Sequence, residues 1–170
     1  MIELFPSTYK DHEESYALRD AQRKALEVNN TAMVVTLDIG EEHDIHPANK
    51  QDVGLRLANI ALNKNYGEKE IIPMGPIYKG FSIEEQHLVL YFDTGGSELY
   101  APYQLSGFEL AGEDGKFYFA NAKIINNTVR LFSKKVKSPI QARYAWANYF
   151  NATLFNKEGL PASSFITEKK

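Results

Sequence analysis

Thr31-Ala-Met-Val-Val-Thr-Leu-Asp-Ile-Gly-Glu-Glu-His-Asp-Ile-His-Pro47 falls into two unlike halves. Up to Leu37 it is mostly apolar without alternation, the pattern of a strand covered on both faces in a parallel sheet. From Asp38 to Pro47 it holds two histidines and four carboxylates. Helical spacing follows, Ala48 to Tyr66, with Val53, Leu57, Ile60, Ala61 and the stem of Lys64 along one face. Pro47 fits a first helical turn, where a missing N–H costs nothing, and Gly67 fits a C-cap. Strand, loop and helix in this order predict a piece of a parallel α/β sheet. In such sheets chemistry gathers just beyond the carboxyl ends of the strands, so the loop 38–47 is where function is first expected.

Upstream, Ser15 to Val28 reads as a helix. Leu18, Ala21, Ala25 and Leu26 form its apolar stripe, and Arg19, Asp20, Arg23 and Lys24 are expected to face water. Residues 1–14 carry little signal. No partner strand of parallel type is evident for 31–37, which predicts an exposed strand with open edges and self-association through them.

Downstream, a charged patch and Ile-Ile-Pro-Met-Gly-Pro around residues 68–76 mark a change of character, read as a domain boundary between 1–70 and 71–170. The period is two from there on: Leu88, Leu90 and Phe92 alternate with Val89 and Tyr91, Phe117 and Phe119 with Tyr118, Val129 and Leu131 with Arg130 and Phe132. Gly95-Gly96, Asp114-Gly115 and Asn126-Asn127 supply turns between these runs. Short strands so spaced predict an antiparallel β-sandwich over residues 71–170. The fold class expected is thus an α/β fragment followed by an all-β antiparallel sandwich.

Composition narrows the function classes. The chain has 170 residues, 44% of them hydrophobic, enough for one ordinary domain or two small ones. With 19 Lys+Arg against 22 Asp+Glu there is no basic excess for nucleic acid or an acidic membrane surface. The lack of cysteine excludes disulfides, thiolate catalysis and Cys-based zinc sites. No apolar run reaches the roughly 18 residues of a membrane span, and Met-Ile-Glu-Leu-Phe-Pro is not a signal peptide.

Three chemistries are open to the loop. It could be an ordinary acidic surface turn. It could ligate a metal through His43, His46, Asp44 and Glu42, although these lack the helical i, i+4 pairing that lets two histidines share an ion. Or it could hold a hydrolase pair, His46 as general base and a neighbouring carboxylate that fixes its tautomer. A helix starting at Pro47 would disfavour the imidazolium, so an adjacent carboxylate would have to offset it. Arg56 reads as a structural ion pair or a solvated charge and Asn49 as a local hydrogen-bonding residue, with substrate contact as the alternative for each, and Tyr144 and Trp146 read as core or interface packing in a strand pattern, with a sugar-stacking role as the alternative.

Asp38-Ile-Gly, then Asp44-Ile-His-Pro-Ala-Asn-Lys-Gln-Asp-Val-Gly-Leu-Arg-Leu-Ala58, resembles the last catalytic block of the sialate O-acetylesterases, a branch of the SGNH-type serine esterases. Ala142-Arg-Tyr-Ala-Trp-Ala-Asn148, Asn156-Lys-Glu-Gly-Leu-Pro-Ala-Ser163 and the Gly107-Phe-Glu-Leu-Ala-Gly112 stretch resemble its closing segment, with Ser164 and Ile166 where proline and arginine are expected. The resemblance implies an SGNH α/β domain with an attached β-sandwich. It also implies deacetylation of O-acetylated sialic acids by a Ser-His-Asp arrangement, with His46 as base and Asp44 as orienting carboxylate. The superfamily usually places that Asp three residues before the His, a position held here by His43, so Asp38 and Glu42 stay open for the role. The family's Gly-x-Ser nucleophile block and its oxyanion donors are missing, and Ser7, Ser15, Ser82, Ser97 and Ser106 lack its setting. The chain is therefore expected to be the C-terminal part of an esterase, inactive alone, whose partners are the N-terminal half of the esterase domain and an acetylated sugar. No cofactor or metal is implied, and the full-length protein is expected to be periplasmic or secreted. The competing expectation is a non-catalytic β-sandwich module for carbohydrate or protein contact, with a vestigial α/β segment.

Overall fold

The computed structural model describes residues 1–3 and 14–169. Ser7 and most of residues 1–14 therefore lie outside the described residues. Antiparallel sheet dominates, with two helices, α1 (Ser15–Lys24) and α2 (Gln51–Lys64), on the N-terminal side. One four-stranded sheet has the order β1-β2-β7-β6, from Ile77–Glu84, His87–Asp93, Thr128–Phe132 and Asn121–Ile125. The other has the order β10-β8-β4-β5, from Phe165–Ile166, Gln141–Tyr144, Phe108–Ala111 and Phe117–Phe119. A two-stranded ribbon pairs β3 (Leu99–Tyr100) with β9 (Phe155–Asn156). No described helix is long and apolar enough to cross a membrane.

The period-two runs form strands for the reason expected of them. Leu88 and Leu90 of β2, and Val129 and Leu131 of β7, are fully buried on one face and meet Phe108, Leu110, Ala142, Tyr144 and Phe165 of the other sheet in one core. Asn126 and Asn127, both at positive φ, make the tight turn between β6 and β7. Phe119 departs from the expectation. It is 83% exposed, because β5 is the edge of its sheet and Tyr118, not its aromatic neighbours, turns toward the core. Trp146 also lies outside any strand: β8 ends at Tyr144, Ala145 turns to φ +50°, and the indole packs on Tyr16 with ring centroids 4.9 Å apart.

The N-terminal elements differ more. Residues 31–37 form no regular strand, only a single parallel bridge from Val34 to Ile2. Met33 to Leu37 are nevertheless buried, and Met33, Val35 and Leu37 belong to the same apolar cluster as the two sheets. Their continuous hydrophobicity thus reflects cover by antiparallel sheets, not flanking parallel strands, and the segment is not the exposed strand expected.

Helix α1 is turned relative to the expectation. Arg19 and Asp20 are buried while Leu18 is exposed, because Arg19 reaches a ready-made set of acceptors. Its Nε donates to Ser164 Oγ (3.0 Å), Nη1 to Ser15 Oγ (3.1 Å) and Asn148 O (3.2 Å), and Nη2 to Ala145 O (3.4 Å) and Ala147 O (2.5 Å). Every donor of the guanidinium is occupied, which is what makes full burial of this charge tolerable.

Helix α2 begins at Gln51, not at Ala48. Asn49, just ahead of the N-cap residue Lys50, bonds back onto the first turn, its Oδ1 accepting the Asp52 N–H at 3.1 Å and its Nδ2 donating to the Asp52 carboxylate at 2.8 Å. Pro47 is consequently buried in the preceding loop instead of the first turn. At the other end the C-cap is Asn65, not the expected Gly67, which takes φ +84° two residues further on and turns the chain away. Only Val53 and Arg56 of α2 are buried, whereas Leu55, Leu57 and Leu62 are exposed.

Candidate functional site

The loop 38–47 is organised by its own carboxylates. Asp38 forms a two-pronged ion pair with Arg56, Nη1 to Oδ1 at 2.8 Å and Nη2 to Oδ2 at 2.5 Å, while Nη1 also donates to Val35 O at 2.6 Å. This clamps the loop entrance to α2 and gives Arg56 the structural role expected of it. Glu41 accepts the Ala48 N–H at 2.7 Å, and Asp44 accepts the backbone N–H of His46 at 2.7 Å. The second of these, from an Asp side chain to the amide two residues on, is an Asx-turn, whereas the first ties the two ends of the loop together.

Asp44 and His46 are thus joined, but through the His46 backbone. The imidazole is exposed and makes no hydrogen bond with a described residue, and the Asp38 carboxylate is committed to Arg56. Since α2 starts five residues after His46, its dipole does not reach the ring as a helix starting at Pro47 would. No group of three or more metal-competent side chains is gathered among the described residues.

The residues that resemble an esterase's closing segment are joints. Asn156, fully buried, accepts the Leu160 N–H at 2.8 Å and donates to Met74 O at 3.3 Å. Tyr144 accepts the amides of Thr153 and Leu154 at 3.0 Å each, and burial pushes its phenol above the ordinary tyrosine range. Asn148 and Ser164 help hold Arg19. Beside this joint lies Glu3, fully buried, with its carboxylate 3.7 Å from Arg19 and no hydrogen bond among the described residues. Burial pushes Glu3 up to about 8, against the pull of Arg19 and the Ser163 hydroxyl, while Asp38 adds to the rise. Burial also lowers Arg19 to about 10, with Glu3 acting the other way. Neither residue stood out in the sequence. The only signal was the i, i+4 spacing of Ser15 and Arg19, on a helix whose charged residues would ordinarily face water.

No family model matches the chain, and no curated protein matches it. Among solved structures, it is 35% identical to XAC1771, described as a novel carbohydrate acetylesterase from Xanthomonas citri, over 98% of this chain with a TM-score of 0.92. The two share this fold. The match covers 40% of that protein, so the chain spans about two fifths of its length.

Proposed function

We propose that this chain is the histidine-bearing C-terminal part of a carbohydrate O-acetylesterase. The likeness to an acetylesterase across 98% of the chain is the observation that carries this reading. In it, His46 accepts the proton of a serine hydroxyl supplied from outside this chain as that oxygen attacks the acetyl carbonyl. The histidine then returns the proton to the departing sugar oxygen, leaving an acetyl-serine that water hydrolyses with the same base. Asp44 is the orienting carboxylate. The 38–47 loop and α2 belong to the catalytic α/β part, residues 1–70, of SGNH type, and residues 71–170 form the accompanying sandwich. Sialic acid O-acetyl esters are the substrate class that the Asp44-to-Ala58 block favours.

The exposed leucines of α2 support the same reading, since a longer esterase has further chain to cover them. A second reading, a non-catalytic module, draws on the absence of a described hydrogen bond to the His46 ring. Turnover of nitrophenyl acetate separates the two. In the serine-bearing enzyme His46→Ala is expected to lower turnover by several orders of magnitude, and the present chain alone should not exceed its own His46→Ala control. Near-full activity of the His46→Ala enzyme would reject the assignment.

A further inference from the structure

A sizeable cleft of the described molecule contains no residue of the 38–47 loop. It has a volume of about 870 Å³ and opens on the outward face of β7 and β6, beneath the segment from Gln104 to Phe108. Its size is that of a small-ligand site. Phe119 forms one rim with its ring almost wholly in solvent, and Phe132 and Asn121 lie in the lining.

A second depression of about 460 Å³ adjoins the first, sharing Leu105, Ala122, Lys123 and Ile125 with it. It too is aromatic, lined by Tyr100 and by Tyr103, which is 85% exposed. Single exposed aromatics need no explanation, but Phe119, Tyr100 and Tyr103 line two adjoining hollows, the larger of which also presents Gln104, Asn121, Lys123 and Arg130. Flat aromatic faces beside hydrogen-bonding side chains suit a pyranose, which has apolar C–H faces and a hydroxylated edge.

Charge narrows the ligand. The lining of the larger cleft includes Lys123, Arg130 and His87 and no carboxylate. Arg130 is shared with Glu84 at 3.5 Å, but Lys123 has no ion-pair partner among the described residues. His87 Nδ1 is buried without a hydrogen bond among the described residues.

We propose that these two hollows form a glycan-binding trough, distinct from the 38–47 loop, that stacks a sugar ring on Phe119 and takes a sugar carboxylate on Lys123. The trough does not depend on the esterase reading, because its lining contains neither His46 nor Asp44.

Amide NMR titration of the full chain with methyl glucuronide and methyl glucoside tests it. Saturable shifts are expected at Phe119 to Lys123 and at Tyr103, with glucuronide bound about three- to fivefold tighter at low salt and the preference fading as salt screens the charge. Phe119→Ala is expected to weaken both sugars about tenfold or more, and Lys123→Gln to remove only the preference for the acid. Phe119 is an exposed edge residue, so the variant should fold, and its circular dichroism would check this. His46→Ala should leave the titration unchanged, which separates this site from the esterase reading. Equal binding of the two sugars by the parent chain, shifts indifferent to Phe119→Ala in the folded variant, or no saturable shift below about 50 mM sugar would overturn the proposal.

Discussion

Asp38 and Asp44 lie six residues apart and do different work. Asp38 meets a buried guanidinium with both oxygens, so Asp38→Asn is expected to cost about 2–4 kcal/mol of stability in chemical denaturation by leaving Arg56 half-paired. The Asp44 carboxylate accepts the backbone N–H of His46 within its own loop. If it orients His46 in the serine-bearing enzyme, Asp44→Asn should lower turnover by about 10⁴ with little loss of stability, and the opposite ranking of the two variants would move the role to Asp38. Glu3 gives a pH signature. Its folded pKa, pushed up to about 8, exceeds the ordinary value of 4.5, so the folded state binds the extra proton between these limits. The stability it contributes is full below about pH 4.5 and is lost as the pH rises through about 8. Denaturation midpoints should therefore fall from pH 5 to pH 8.5, and Glu3→Gln should flatten that slope.

Among the elements, α1 depends most on one residue. Arg19 links it to the turn after β8 and to Ser164 beside β10, donating to three backbone carbonyls, of which Ala145 O is shared with Ser164 Oγ and Asn148 O with Ser15 Oγ. Arg19→Met should cost about 3–5 kcal/mol, and Arg19→Lys should not restore it, since a single ammonium cannot reproduce the fork. The segment before β1 is held by the Asn156 hydrogen bond to Met74 O and by close backbone packing at Gly75. A Cβ on Gly75 would lie 2.1 Å from the carbonyl oxygen of Pro161, so Gly75→Ala must displace backbone and is expected to lower stability by about 2 kcal/mol or more in thermal unfolding.

For the whole molecule, one apolar cluster runs from Met33, Val35 and Leu37 through both four-stranded sheets, while α2 leaves much of its apolar surface in solvent. If the proposed longer esterase covers that surface, Leu55, now 58% exposed, carries little stability in this chain and more in the whole enzyme. Leu55→Ser should shift unfolding of this chain by no more than about 0.5 kcal/mol yet lower the stability of the serine-bearing enzyme distinctly. Equal small effects in both would mean that α2 faces water in the enzyme as well.

The sequence alone determined the strands β2 and β7, the tight turn at Asn126-Asn127 and Asn49 as a local hydrogen-bonding residue near the start of α2. These follow from period-two burial, from the positive φ that a tight hairpin demands and from side chains that bond their own neighbours, all local effects. Only the tertiary structure decided that 31–37 is covered by antiparallel sheets, that Arg19 and Glu3 go inside while Leu18 stays out, and that Phe119 faces solvent. In each case a partner far along the chain set the outcome, such as Ser164 for Arg19, an edge position for β5 and the shared core for Met33 to Leu37. A periodicity reports that a face is covered, but not by what, and a charged helix face does not show that distant carbonyls are waiting for it.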